Sequence, residues 1–163
     1  MRRMILPLMV LVAVACQPAT IELTDAERAA IADTVSTLMA DEWIASTDPV
    51  DFEKMMTLIQ NAPETALAFE GGIVHGWTTM EAVFGGHFAS ISREPCTITD
   101  SATVVLASDM VYVMRSGTFT SIDTAGSSGP LTPFAQTLLW VRRDGAWKVL
   151  VGHVSHGPPI DEG

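Results

Sequence analysis

The sequence predicts one α+β domain: N-terminal helices packed on one face of a mostly antiparallel sheet of long strands. Three observations predict it. Apolar residues recur at helical spacing early in the chain, and later fall into strand-length runs closed by turn signals. Helices followed by long antiparallel strands pack on one face of the resulting sheet. A length of 163 residues, 48% hydrophobic and 17% charged, supports a full core and excludes a disordered chain.

Charge excludes two classes of partner. With 9 Lys+Arg against 19 Asp+Glu, the net charge is −10. So acidic a chain cannot neutralise phosphates, which excludes nucleic acid. It would also be repelled by an anionic bilayer surface.

Residues 1–15 read as a signal peptide. Arg2 and Arg3 form a positive start, and the apolar stretch Met4 to Val14 is too short to span a bilayer. Ala13-Val14-Ala15-Cys16 resembles the bacterial lipobox, in which small residues precede a cysteine that is lipidated and becomes residue one. The alternative is an ordinary signal cut after Ala15. With Cys16 lipidated, residues 16–23 form a tether, and Gln17 at the next position resembles a signal for the outer membrane. The resulting expectation is a lipid anchor in the cell envelope, on the periplasmic face of the outer membrane. Cys96 would then be the one remaining thiol, buried and inert in a strand, with no disulfide framework.

The folded domain is expected over residues 24–157, followed by a tail at 158–163. Thr24-Asp-Ala-Glu27 is a capping box opening a first helix through Ile31, Val35, Leu38, Met39, Glu42 and Trp43, which ends near Thr47-Asp48-Pro49. Asp51 to Ile59 reads as a short second helix, broken by Asn61-Ala-Pro63. Thr65 to Glu70, the Gly71-Gly72 turn and Ile73 to Trp77 read as a hairpin. Thr78 or Thr79 would cap a third helix through Met80, Val83, Phe84 and Phe88. Long strands follow at about 96–107, 110–122 and 134–142, with a Gly/Ser-rich loop at 124–130. Asp144-Gly145 is a hairpin turn into a last strand over Ala146–Ser155.

Two stretches resemble a known family. Trp140-Val-Arg-Arg-Asp-Gly-Ala-Trp147-Lys-Val-Leu-Val-Gly-His153-Val-Ser155 is similar to the closing hairpin of SnoaL-like proteins, of the nuclear transport factor 2-like superfamily. Gly76-Trp-Thr-Thr-Met-Glu-Ala-Val83 resembles that family's entry into its third helix. The resemblance spans about residues 24–157 and implies a cone-shaped α+β fold, commonly dimeric through the outer sheet face. Its members include isomerases, dehydratases, cyclases and assembly domains, so it implies no single activity.

Strand alternation places Trp147, Val149, Val151, His153 and Ser155 on one face of the last strand, and Lys148, Leu150, Gly152, Val154 and His156 on the other. Because lysine belongs outside, His153 is expected to line the cavity, either as a general base or ligand donor or as a histidine hydrogen-bonded into the structure. His156 would face away, and His87 would lie on the surface. Tyr112, the one tyrosine, shares a face with Met110 and Met114; it is either a hydrogen-bond donor to a ligand carbonyl or a core or dimer-face residue. Trp43, Trp77 and His75 are candidate pocket residues. Asp48 is expected as an exposed turn carboxylate. No metal motif, nucleotide loop or Ser-His-Asp signature is present, so no metal and no cofactor are expected.

Three functions compete. The first is an exported lipoprotein binding a small, largely apolar ligand, for which the methionine-rich composition suits an adaptable cavity. The second is an isomerase or dehydratase that abstracts a proton beside a carbonyl, with His153 as base and Tyr112 as donor. The third is a homodimeric interaction module that recruits a partner through the outer sheet face.

Overall fold

A computed structural model describes residues 22–69 and 71–160. The proposed signal peptide and Cys16 lie outside the described residues. Helix α1 (Asp25–Leu38) opens on the expected capping box: the Thr24 hydroxyl accepts from the Glu27 amide, and the Glu27 carboxylate accepts from the Thr24 amide at 2.8 Å. The helical path continues through a π-helical turn, Met39–Trp43, and a 3₁₀ turn, Ile44–Ser46. That wider turn seats both Met39 and Trp43 in the core. Helix α2 (Phe52–Thr57) is capped by Asp51, whose carboxylate accepts from the Lys54 amide at 2.9 Å.

Strands β1 (Ala66–Phe69) and β2 (Gly72–His75) form the expected hairpin. Helix α3 (Trp77–Phe88) departs from expectation at its start. Its N-cap is Gly76 at φ +76°, a backbone conformation open to glycine, rather than Thr78 or Thr79. The remaining strands are β3 (Ile91–Arg93), β4 (Cys96–Ala107), β5 (Met110–Phe119), β6 (Ile122–Asp123), β7 (Thr132–Arg143) and β8 (Ala146–His156).

Six strands form one open, curved sheet in the order β2-β1-β8-β7-β5-β4, antiparallel throughout except for β1 beside β8. The short β3 and β6 pair separately and were not anticipated. The helices cover the concave face. Val35, Met39 and Trp43 from the first helical path, Met80 from α3, and Val111, Val113, Leu138, Trp140 and Val149 from the sheet form one buried cluster. Trp43 meets Trp140 edge to face at 6.3 Å. This core fills the narrow end of the cone.

One irregularity decides which residues reach the wide end. In the β7–β8 ladder, Trp140 faces Val149 but Leu139 faces Val151, so Leu150 is an extra, unpaired residue. Such a bulge reverses the facing of every later side chain. It lies where β8 changes neighbour: Val149 bonds Leu58 and Gln60, whereas Val151 onward pairs with β1. Beyond the bulge the concave face therefore carries Gly152, Val154 and His156, opposite Leu138, Gln136 and Phe134. Gly152 permits the closest packing there, since a Cβ would lie 2.5 Å from side-chain carbons of both Leu67 and Leu138.

Candidate functional site

Above the core, toward the ends of β4, β5, β7 and β8, the concave face opens into a cavity of about 110 Å³. Its floor is Trp43 and Leu138, and its wall is largely aromatic. The chain has 6 Phe, and five of them line this one space: Phe69, Phe84, Phe88, Phe119 and Phe134. The rings touch in sequence around the wall. Phe88 meets Phe84 at 6.4 Å, and Phe84 meets Phe69 at 5.9 Å. His156 bridges Phe69 and Phe119, at 5.9 and 5.0 Å, and Phe119 meets Phe134 at 6.0 Å. These residues come from β1, α3, β5, β7 and β8, so only the folded sheet assembles them.

Polar groups are few and mostly engaged. Thr47 donates to the carbonyls of Ile44 and Glu94, both at 2.9 Å. The Glu94 carboxylate accepts from Ser121 at 2.9 Å through one oxygen. Cys96 also lines the cavity. Burial pushes its thiol up to about 11; the neighbouring Glu94 and Asp48 carboxylates add to this, while a hydrogen bond with Thr47 opposes it. Cys96 is thus a poor nucleophile near neutrality, as the sequence led us to expect. The Gln136 amide lines the wall without a side-chain hydrogen bond to any described residue, so it holds a donor and an acceptor for an incoming group. Arg115 faces the same side of the sheet opposite Gln136 but does not line the cavity. It is half-buried with Nε unpartnered, and burial lowers its pKa.

Of the residues expected from sequence to form the pocket or carry chemistry, Trp43 is at the cavity, and His153, Tyr112, His75 and Trp77 are elsewhere. His153 is corrected: the bulge at Leu150 turns it to the outer face, exposed, beside a shallow depression with Gly71 and Ser155. The same reversal brings His156 to the rim of the cavity, where it stays exposed and also borders that depression. His87, expected on the surface, also lines the cavity, 5.8 Å from Phe69 and 4.8 Å from Phe88. Tyr112 alternates with the buried Val111 and Val113, so its ring lies on the outer face, away from the cavity. His75 points to solvent from the edge strand β2, where its neighbour Val74 takes the core side. Trp77, at the start of α3, packs against the core cluster rather than the cavity. Asp48 is tied to Arg93 by two bonds of 2.6 and 3.0 Å, and that guanidinium holds its carboxyl below the usual range. Among the described residues there is no cluster of three metal-ligating side chains.

The residues missed from sequence are Phe69, Phe119, Phe134, His87 and His156. Phe84 and Phe88 were legible as one face of α3, and Phe134 and His156 sat at strand ends whose facing was obscured by the bulge.

No protein-family model and no curated protein matches the chain. Solved structures do. A nuclear transport factor 2-like superfamily protein from Salmonella enterica aligns at TM-score 0.66 and 18% identity, over 83% of this chain and 95% of that one. The hexachlorocyclohexane dehydrochlorinase LinA-type3 from Novosphingobium barchaimii aligns at TM-score 0.65 and 17% identity, over 85% and 96%. A protein with a cystatin-like fold from Caulobacter vibrioides aligns at TM-score 0.64 and 14% identity, over 78% and 91%. At these identities the likeness concerns architecture. The chain has the nuclear transport factor 2-like α+β fold.

Proposed function

We propose that this protein binds a small, largely apolar ligand in the cavity at the wide end of its sheet. The observation that carries the reading is the concentration of five phenylalanines on one space of about 110 Å³ beside the buried core cluster. An apolar cavity somewhat larger than this, about 150 Å³, is enough to take up benzene. The proton-abstracting alternative loses its proposed pair, because His153 and Tyr112 both lie on the outer face. The test is thermal unfolding in benzene and in tert-butanol. A bound solute at about a hundred times its Kd stabilises by about 2.7 kcal/mol. Val154→Phe, which fills the cavity from β8, should abolish that gain; equal gains in both proteins would place binding elsewhere.

We further propose that the domain is SnoaL-like, that Cys16 carries a lipid anchoring the protein at the periplasmic face of the outer membrane, and that the domain is a homodimer. The lipobox-like Ala13-Val14-Ala15-Cys16 supports the anchor. Val104, Leu106 and Met114, exposed on the outer sheet face, support the dimer.

A further inference from the structure

The cavity wall has a charge pattern as well as an apolar one. Glu94 lines it, with its carboxylate bonded to Ser121 through one oxygen; His87 and His156 line it too, and among the described residues no Lys or Arg does. Two guanidinium groups lie on neighbouring strands, one paired and one on the same sheet face outside the lining. Arg93 is engaged by Asp48, and Arg115 does not line the space. The rings that line the cavity are tilted against one another, by 57° for Phe69–Phe84 and 66° for Phe119–Phe134. Aromatic faces are the negative side of the ring quadrupole and attract a cation placed over them. A wall of such rings with an acidic residue among them suits a cation that has no hydrogen bonds to satisfy.

We propose that the ligand of this cavity carries a small methylated-ammonium group, held by the phenylalanine wall and by Glu94. This rests on the ligand-binding reading above and narrows it to a chemical class. Size supports it. By comparison with the benzene-binding cavity, about 110 Å³ takes roughly four to five non-hydrogen atoms, close to the five of a tetramethylammonium ion. A primary ammonium would lose hydration that this wall cannot replace, whereas methyl groups bury their charge with little such loss. The electrostatic environment agrees: the carboxylates of Glu94 and Asp48 both oppose a negative charge on the cavity's own thiol, Cys96. An anionic ligand would meet the same opposition.

The experiment titrates the full chain with tetramethylammonium chloride and, separately, with tert-butanol, a neutral solute of matching size. Binding is read from the methyl proton line width, with sodium chloride at equal ionic strength as the control. Tetramethylammonium should bind about tenfold tighter than tert-butanol, the scale of a desolvated cation–π contact. Glu94→Gln keeps an acceptor for Ser121, so it should fold; it should weaken tetramethylammonium about tenfold and leave tert-butanol unchanged. Phe88→Leu, at the end of the ring series, gives a second variant, which should weaken tetramethylammonium more than it weakens tert-butanol. Choline and phosphatidylcholine vesicles, titrated alongside, separate a free solute from a lipid headgroup as the natural carrier of the group. Equal or tighter binding of tert-butanol, or tetramethylammonium binding indifferent to Glu94→Gln, overturns the ammonium proposal and leaves the apolar cavity intact. Binding of neither solute overturns both.

Discussion

The same substitution at two glycines should shift stability in opposite directions, because one glycine is required by packing and the other is not. Gly117 lies in β5 between Ile98 of β4 and Phe134 of β7. A Cβ added there would stand 2.1 Å from the Thr97 carbonyl oxygen and 3.1 Å from the Ile98 Cα. Both obstacles are backbone, so no side-chain rotation relieves them. Restoring ordinary contact requires β4 to retreat by more than about 1 Å, which exceeds the tolerance of a ladder hydrogen bond. The pairs from Cys96–Phe119 to Ile98–Gly117 would loosen together. Two or three bonds at about 1 kcal/mol each give a loss of about 3 kcal/mol for Gly117→Ala. Gly86 sits inside α3 with no atom within 4 Å of an added Cβ. There alanine lowers the entropy of the unfolded chain and should stabilise by about 0.5–1 kcal/mol. Urea titrations of the two variants and the wild type measure both effects, provided the m-values agree. A Gly117→Ala protein within about 0.5 kcal/mol of wild type would mean that β4 gives way freely, and the register argument would fall.

Four further outcomes follow from the structure. The Cys96 thiol is raised from 9.0 to about 11 in the fold, so between those values the unfolded chain loses the proton first. Stability should therefore fall by about 2 kcal/mol as pH rises through that window, and Cys96→Ala should lack this segment of the curve. On saturation with a cavity ligand, imidazole NMR signals of His156 and His87 should shift; movement of His153 alone would reverse the assignment of strand faces. Radiolabelled palmitate should enter the wild type and not Cys16→Ala, and labelling of both would remove the anchor. Light scattering should return a dimer mass that Leu106→Glu converts to monomer, and a wild-type monomer at micromolar concentration would refute the sheet-face association.

What sequence reasoning could reach here depended on whether a feature is local. The Thr24–Glu27 capping box, the end of the first helical path near Thr47 and the Asp144–Gly145 turn are set by neighbours within a few residues, and each appears where the pattern places it. The cap of α3 failed for a related reason. Thr78 and Thr79 have the right side chains, but the chain turns at Gly76, whose amide bonds the Thr65 carbonyl at 2.7 Å, a contact across the hairpin that no local pattern announces. The site failed through a count of one. Alternation from Trp147 is correct as far as Val149, and there β8 exchanges its contact with Leu58 and Gln60 for pairing with β1. The two neighbours demand different registers, and Leu150 absorbs the difference. A lysine on the outer face fixes parity only up to such a bulge, so the rule that placed His153 inside was sound chemistry applied past the point where the strand kept its period. The aromatic enclosure was hidden for a different reason. Its rings are contributed by β1, α3, β5 and β7, singly or in pairs, and no window of sequence contains enough of them to look unlike ordinary core. Only the bulge, by bringing His156 between Phe69 and Phe119, joins them into a continuous wall. The feature that defeated the sequence reading is therefore the one that builds the site.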